Sequence, residues 1–350
     1  MRVSIIIPTL NESATIEGVI ASVLAFRKDS MECDIIVVDG DSDDGTREKL
    51  DELTLSTPNL IVLHNPRRKT PMALNIGLAH AKGEVVLRLD AHSQYPEDYL
   101  EKCVRSLESE SADNVGGIVV PRWTNRGKGA QIVAALTSHI FGVGDSGFRT
   151  SVAAGAADTV PYGCFRRSVF EEIGKFDERL NRNQDYEFNR RMIAAGKRIW
   201  LDPSIRVFYE NRDTVSGVLK QAFTTAQWNP WMWLVAPYSF AFRHAIPGIV
   251  VAAGAALVVL SFLSATALAI LTMLSALYAC TAIVASVQQA CRYGWWIGFV
   301  LPPLFLAYHI SYGAGMWLGI LKVLLGVAPV QKLGEPWLGA GRYRAWPCPR

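Results

Sequence analysis

Along the first 120 residues, short runs of aliphatic and β-branched residues alternate with segments whose apolar positions recur every three and four residues. Residues 3–7 read as a strand, and Ile16, Val19, Ile20, Val23 and Leu24 then fall on one helical face. Further strands are predicted over 34–38, 60–63, 84–89 and 115–120, with helices from about Gly45 and over 99–109. Thr70-Pro71 predicts a helix start with proline in its first turn, and Gly83 its stop. Such alternation calls for an α/β fold with a mostly parallel sheet covered by helices on both faces. Ligands of these sheets bind beyond the carboxyl ends of the strands.

Between about 127 and 161 the pattern dissolves into Gly, Ala, Ser and Thr, which predicts a mobile connection. A second α/β portion follows, with a helix over 185–195, Gly196 as its stop, and strands over 198–201 and 205–209. The character of the chain then changes. From Ala245 to Val287, 43 residues pass without Asp, Glu, Lys, Arg, His, Asn or Gln, where one membrane span needs about 20. Two spans fit there. A third apolar stretch, 293–321, is interrupted by His309 and by Pro302-Pro303, as a kinked span or a re-entrant pair would be. Eight of the ten tryptophans lie after residue 227, and Trp228, Trp231 and Trp233 sit where an interfacial belt would precede the first span.

Charge follows the same division. Residues 1–230 hold 28 Lys and Arg against 31 Asp and Glu, whereas residues 231–350 hold seven basic residues and one acid, Glu335. The expected organisation is a cytoplasmic catalytic domain over 1–230, an interfacial segment over 231–244, two to four transmembrane helices (three favoured) over 245–325, and a basic tail over 326–350. The opening MRVSIIIPTL has too short an apolar run for a signal peptide, and Arg243 and Arg292 place both flanks of the first two spans inside. A single third span would leave the basic tail outside, against the same rule. The six cysteines show no metal-ligand spacing, so thiols in a reducing compartment are expected.

Two strand ends carry acids. The second strand runs into Asp39-Gly40-Asp41-Ser42-Asp43-Asp44-Gly45-Thr46, whose plain alternative is turn and cap chemistry, above all for Asp44 and Thr46. Asp39 itself ends an apolar strand, where a carboxylate can accept from a base N–H or a ribose hydroxyl. The fourth strand ends in Asp90-Ala91-His92. Alternate residues of extended backbone share a face, so Asp90 and His92 can meet at one divalent cation, and mixed oxygen and nitrogen ligation suits Mn2+ better than Mg2+. Asp185 opens a helical segment, where it either complements the helix dipole or takes a proton from a hydroxyl nucleophile. Gly142 to Gly147 matches G-x-G-x-x-G but follows a helix-like segment and lacks the strand–turn–helix setting of dinucleotide binding. Arg67-Arg68-Lys69 reads as a solvated turn rather than a nucleic-acid patch, and no nucleic-acid partner is expected.

Taken in order, IIIPTLNE at 5–12, the 39–46 loop, MALNIG at 72–77 before AKGE at 81–84, and Asp90-Ala91-His92 resemble the family 2, inverting, GT-A-fold glycosyltransferases. DAHSQYP at 90–96, DTVPYGCFRR at 158–167, GKFDERL at 174–180, NQDYE at 183–187 and RHAIP at 243–247 are similar to the ExoA-like succinoglycan glucosyltransferases. The resemblance implies a Rossmann-like catalytic domain followed by transmembrane helices. It implies that Pro8, Glu12, Asp39 and Asp90 bind the nucleotide sugar, that Asp90 and His92 hold a divalent cation (Mn2+ or Mg2+), and that Asp185 is the general base.

The implied reaction moves a hexose, glucose from UDP-glucose, onto a polyprenyl-diphosphate-linked saccharide in exopolysaccharide or cell-surface glycan synthesis. The implied setting is the inner membrane, with assembly proteins of the exopolysaccharide as partners. The alternatives are a polyprenyl-phosphate sugar synthase, a processive polysaccharide synthase, for which two or three spans are few, and, from another class, a membrane scaffold with an inactive transferase fold. The chain departs from the family in having Asp39-Gly40 for Asp-Asp, His92 for the second acid of D-x-D, and Gln184 before the base; Q-x-x-R-W is absent.

Overall fold

The computed structural model describes residues 1–27, 31–123, 127–150, 153–327 and 329. In chain order the elements are β1 (Arg2–Thr9), α1 (Ile16–Leu24), β2 (Glu32–Asp39), α2 (Thr46–Ser56), β3 (Leu60–His64), α3 (Thr70–His80), β4 (Val85–Arg88), β5 (Ser93–Gln94), α4 (Tyr99–Ser109), β6 (Asn114–Pro121), α5 (Gly127–Thr137) and α6 (Ile140–Val143). There follow α7 (Gly147–Thr150), β7 (Gly155–Ala156), β8 (Cys164–Arg166), α8 (Ser168–Ile173), α9 (Gln184–Ala194), β9 (Ile199–Tyr209), α10 (Val215–Val235), α11 (Phe242–Ser261), α12 (Ala265–Tyr293) and α13 (Ile297–Leu324). They form two compact units: Met1–Pro121 with Gly147–Glu210, and Arg122–Ser146 with the chain from Asn211 onward. The boundary expected at 230 thus falls some way after the end of the sheet-bearing unit, and α10 belongs with the apolar helices.

The first unit is built on one sheet in the order β3-β2-β1-β4-β8-β6-β9-β5, with β7 on β9. β1 pairs in parallel with β2 and β4, and β2 with β3, whereas β8 runs antiparallel between β4 and β6. Strand β1 shows why a parallel sheet forms here. Val3, Ile5 and Ile7 enter one apolar cluster while Ile6 enters the other, so both faces are buried and the strand reads as an unbroken apolar run. Helix α3 then lies close against the sheet: a Cβ on Gly77 would stand 2.5 Å from Cγ2 of Ile6. Pro8 costs no ladder bond. It is in phase with Ile6, whose carbonyl accepts from Leu89 N–H, and it lies past the last β1–β4 pair, Ile6↔Arg88.

Three expectations are corrected. In place of the mobile connection expected over 127–161, the described residues form α5, α6, α7 and the short strand β7. The Ala- and Gly-rich composition that hid them serves packing: Ala130, Val133, Ala134, Ala135 and Leu136 of α5 are buried, and the Ala135 carbonyl accepts from Gln289 Nε2 of α12. The strands expected over 198–201 and 205–209 are one, β9, whose pairing with β6 shifts register between Gly116 and Ile118. That irregularity absorbs Pro203 without ending the strand. Helix α3 stops at His80, before Gly83, because Ala81 is already extended.

In the second unit α11, α12 and α13 are long and apolar enough to cross a membrane. The 20 residues of α11 measure about 30 Å, the thickness of a bilayer's hydrocarbon core. Many of their large side chains are exposed, Phe299 by 77% and Met273 by 63%, as lipid-facing residues would be. Helix α13 runs through Pro302-Pro303 as a single helix. The tail beyond 329 lies outside the described residues, and with it the question of its side. Small residues set the helix spacing. A Cβ on Gly315 would come 2.2 Å from the Phe223 carbonyl of α10, and one on Gly319 2.5 Å from the Gln227 carbonyl. Gly315→Leu is therefore expected to destabilise the helical unit by about 1–3 kcal/mol or more, as overpacking does. A lowered unfolding temperature in detergent would register it, and an unchanged one would contradict this packing.

Candidate active site

Two loops at the carboxyl ends of β1 and β2 are tied together by short polar side chains. Asp39 is 1% exposed and turns back into its own loop, where it accepts from Ser42 Oγ at 2.6 Å and from Ser42 N–H at 3.3 Å. Ser42 Oγ accepts in turn from Asn11 N–H at 2.9 Å. The Asp44 carboxylate accepts from the N–H groups of Ser13 and Thr46 and from the Thr46 hydroxyl, contacts that hold its pKa well below the usual carboxylate range. Thr46 Oγ1 accepts from Glu12 N–H at 2.8 Å. Asp44 and Thr46 thus do the turn work that their residue types suggest.

The chemistry gathers one strand away. Arg88, at the end of β4, is 6% exposed and donates through Nη2 to Asp90 Oδ1 at 2.8 Å and through Nη1 to Asp185 Oδ2 at 2.6 Å. On the other side of Asp90, Oδ2 stands 3.9 Å from His92 Nε2, and His92 Nδ1 is 3.1 Å from Glu12 Oε1. Glu12, His92, Asp90, Arg88 and Asp185 therefore form one continuous line of contacts, drawn from β1, β4, α9 and their loops. Arg88, Asp90 and His92 are alternate residues, as a shared face requires. Glu12 also joins this line to the β1–β2 loops through its N–H. Asp39 lies in the loop network and Pro8 on β1 beside Val38, so these two predicted positions sit at the neighbouring strand ends.

The surroundings fix Asp90 and Arg88. Asp90 N–H donates to the Tyr95 hydroxyl at 2.7 Å, and the Arg88 guanidinium carbon lies 5.6 Å from the centre of the Tyr162 ring. Burial pushes both tyrosine hydroxyls well above their ordinary pKa, so they remain neutral. Tyr162 adopts φ +47°, a conformation disfavoured for a bulky side chain and sustained only by packing around it. Burial opposes the charge of Arg88, but Asp185 and Asp90 outweigh it, so the guanidinium holds its proton more firmly than usual.

Asp185 stands in the first turn of α9, after Asn183 at φ +62°. Its side chain is 36% exposed, yet Oδ1 is enclosed and has no hydrogen-bond partner among the described residues, while Oδ2 is held by Arg88. Burial pushes its carboxyl above the ordinary aspartate range; Arg88 pulls it down and the Asp90 charge adds to the rise. With one oxygen anchored by Arg88, the other is left unpaired, and a hydroxyl admitted beside it would meet an acceptor with no competing donor.

The donor set at Asp90 and His92 suits a divalent cation. A carboxylate can only accept, so Nδ1 of His92 must be the donor to Glu12, which is the orientation that aims Nε2 at Asp90. A gap of 3.9 Å between Nε2 and Oδ2 is too long for a hydrogen bond and close to what two ligands of one ion span. Among the described residues no group of three or more His, Cys, Asp or Glu could hold an ion unaided. Ligand oxygens would have to complete the shell. The sequence reading missed Arg88 and the tie from Glu12 to His92. For Arg88 a signal existed, since Arg88-x-Asp90-x-His92 is a visible period-2 series.

Residues 4–174 match the sequence model described as glycosyl transferase family 2. Residues 4–174 thus form a family 2 glycosyltransferase domain, the class that uses nucleotide sugars, in a unit of GT-A-like fold followed by three long apolar helices. The chain is 30% identical over 221 residues to the succinoglycan biosynthesis protein ExoA of Rhizobium meliloti, covering 63% of this chain and 66% of that one. A dolichol-phosphate mannosyltransferase of Pyrococcus furiosus is 30% identical over 116 residues, 33% of each chain. In fold, a mannosyltransferase from Pyrobaculum calidifontis, solved with GDP-Man and Mn2+, covers 89% of this chain and 86% of its own with a TM-score of 0.57 at 22% identity.

Proposed function

We propose that this protein is an inverting transferase that moves glucose from UDP-glucose onto a polyprenyl-diphosphate-linked saccharide at the cytoplasmic face of the inner membrane. The observation that carries the reading is the enclosed, unpartnered Oδ1 of Asp185 at the end of a line that also holds a cation-ready pair. Asp185 accepts the acceptor's hydroxyl proton as that oxygen attacks the anomeric carbon. The diphosphate departs on the opposite face, so an α-linked donor gives a β-linked product and no covalent enzyme intermediate forms. Pro8, Glu12, Asp39 and Asp90 bind the donor, with Asp39 shaping the loop beside it through Ser42. Asp90 and His92 would hold the cation, and Glu12 orients the imidazole. A bound divalent cation supplies compensation for the negative charge that grows on the leaving diphosphate.

The apolar helices serve proximity. A lipid-linked acceptor is confined to the bilayer surface, and an enzyme anchored to the same surface meets it at a high effective concentration. The relative from Rhizobium meliloti is described by succinoglycan biosynthesis, which favours an exopolysaccharide intermediate as acceptor and the other assembly proteins of that polymer as partners. The test incubates membranes containing the protein with radiolabelled UDP- and GDP-sugars, with Mn2+, Mg2+ or chelator, and analyses the lipid extract. Label is expected in lipid from UDP-glucose and to disappear with chelator. Label from another donor alone would refute the glucose assignment, and none from any donor would refute the activity.

A further inference from the structure

Arg88 sits between two carboxylates 95 residues apart in the chain, and neither the family match nor the sequence motifs give it a part. It is rooted in the sheet. Its N–H donates to the Gly163 carbonyl at 3.0 Å, its register partner is Ile6 on β1, and its guanidinium rests over Tyr162. Asp90 lies two residues further along the same chain, so its position follows that of the strand. Asp185 instead belongs to the first turn of α9, a separate element whose buried Phe188 and Met192 join the same apolar cluster as Ile6 and Val86, so its carboxylate reaches the end of β4 from another part of the chain.

We infer that Arg88 is a positioning residue that ties the first turn of α9 to the end of β4, fixing where the free oxygen of Asp185 stands relative to Asp90. The inference rests on the glycosyl-transfer reading and deepens it. A planar guanidinium presents two Nη groups in a fixed fork, and here each takes one carboxylate, at 2.8 Å and 2.6 Å. The fork occupies Oδ2 of Asp185, and this leaves Oδ1 as the oxygen that can take a proton. The same cation lies beside both acids and lets two negative side chains approach within one enclosed site. A lysine retains the charge but offers a single nitrogen on a flexible stem, which cannot hold both carboxylates in that geometry.

The discriminating variant is Arg88→Lys, because Arg88→Met would leave two partly buried carboxylates without a cation and endanger the fold. Initial rates of transfer from radiolabelled UDP-glucose to membrane lipid give kcat and the donor KM, and thermal unfolding of the purified protein checks the fold. Arg88→Lys is expected to fold, to lose about 10²-fold in kcat as a misplaced base does, and to keep its donor KM within about threefold. Placed in the Asp185→Asn background, the same change is expected to cost less than about threefold, since the group that it positions is gone. Wild-type kcat in Arg88→Lys, a loss confined to the donor KM, or a full multiplicative loss in the double variant would each overturn the inference. If the unmodified protein transfers no sugar from any donor, the functional reading fails first and takes this one with it. That result is distinct from an active protein indifferent to Arg88.

Discussion

Asp185→Asn is expected to lower sugar transfer by about 10²–10⁴-fold, the usual contribution of a placed general base, with UDP-sugar binding unchanged. Asparagine keeps an oxygen that can accept from Arg88, so the tie to β4 survives while the basic oxygen is lost. Initial rates on membrane lipid, set against calorimetric binding of the donor, separate the two effects. The pH profile carries a second mark. Burial raises the Asp185 carboxyl above the ordinary aspartate range in spite of Arg88. Only the ionised form accepts a proton, so activity should fall as pH is lowered through that raised pKa, earlier than an exposed aspartate would allow. Asp185→Asn should lack that limb. A near-normal rate in the variant would mean that the attacking group needs no base, as for the phosphate oxygen of a polyprenyl phosphate, and the product would then be a lipid monophosphate sugar.

The second large effect concerns Asp90 and His92. Asp90→Asn is expected to reduce turnover by about 10²–10³-fold, the scale on which loss of one electrostatic stabiliser acts in a water-poor site, and added chelator should then change little. His92→Asp restores two acids at the spacing of D-x-D. It should shift the relative rates from Mn2+ toward Mg2+, because an all-oxygen set suits the harder ion. Glu12→Gln probes the support. Its amide can still meet Nδ1 but no longer favours the ring's donor state, so a weaker apparent Mn2+ affinity is expected at unchanged fold stability, read by the cation dependence of UDP binding. Equal cation preference in the wild type and His92→Asp would remove His92 from the cation site.

Much of the catalytic unit was legible from residues near one another in the chain. The two-faced apolar run of β1, the Asp39 loop and the Asp90-x-His92 alternation are all local patterns, and the structure sets them at neighbouring strand ends. Local patterns failed where tertiary packing replaced them. The α5 segment has the small residues of a loop, but Ala130, Val133, Ala134 and Leu136 make a buried helical face because α12 and α13 supply what covers it. Pro203 argues for a break between two strands, and the register shift on β6 removes the need for one. Glu12 was read as a nucleotide ligand alone. Its partner His92 lies 80 residues away, and no spacing rule reaches that far.

The sequence by itself therefore determined the α/β order, the acids at the strand ends and the long apolar stretches, though not whether the last of them is one helix or two, because hydrophobic periodicity and strand parity act over a few residues. Only the tertiary structure decided that Arg88 would join Asp90 to Asp185, that one oxygen of Asp185 would be enclosed without a partner, and that Glu12 would aim His92 at Asp90. The reason is physical. Each of those contacts depends on where the backbone carries side chains from distant parts of the chain, and on how much water that packing removes from around them.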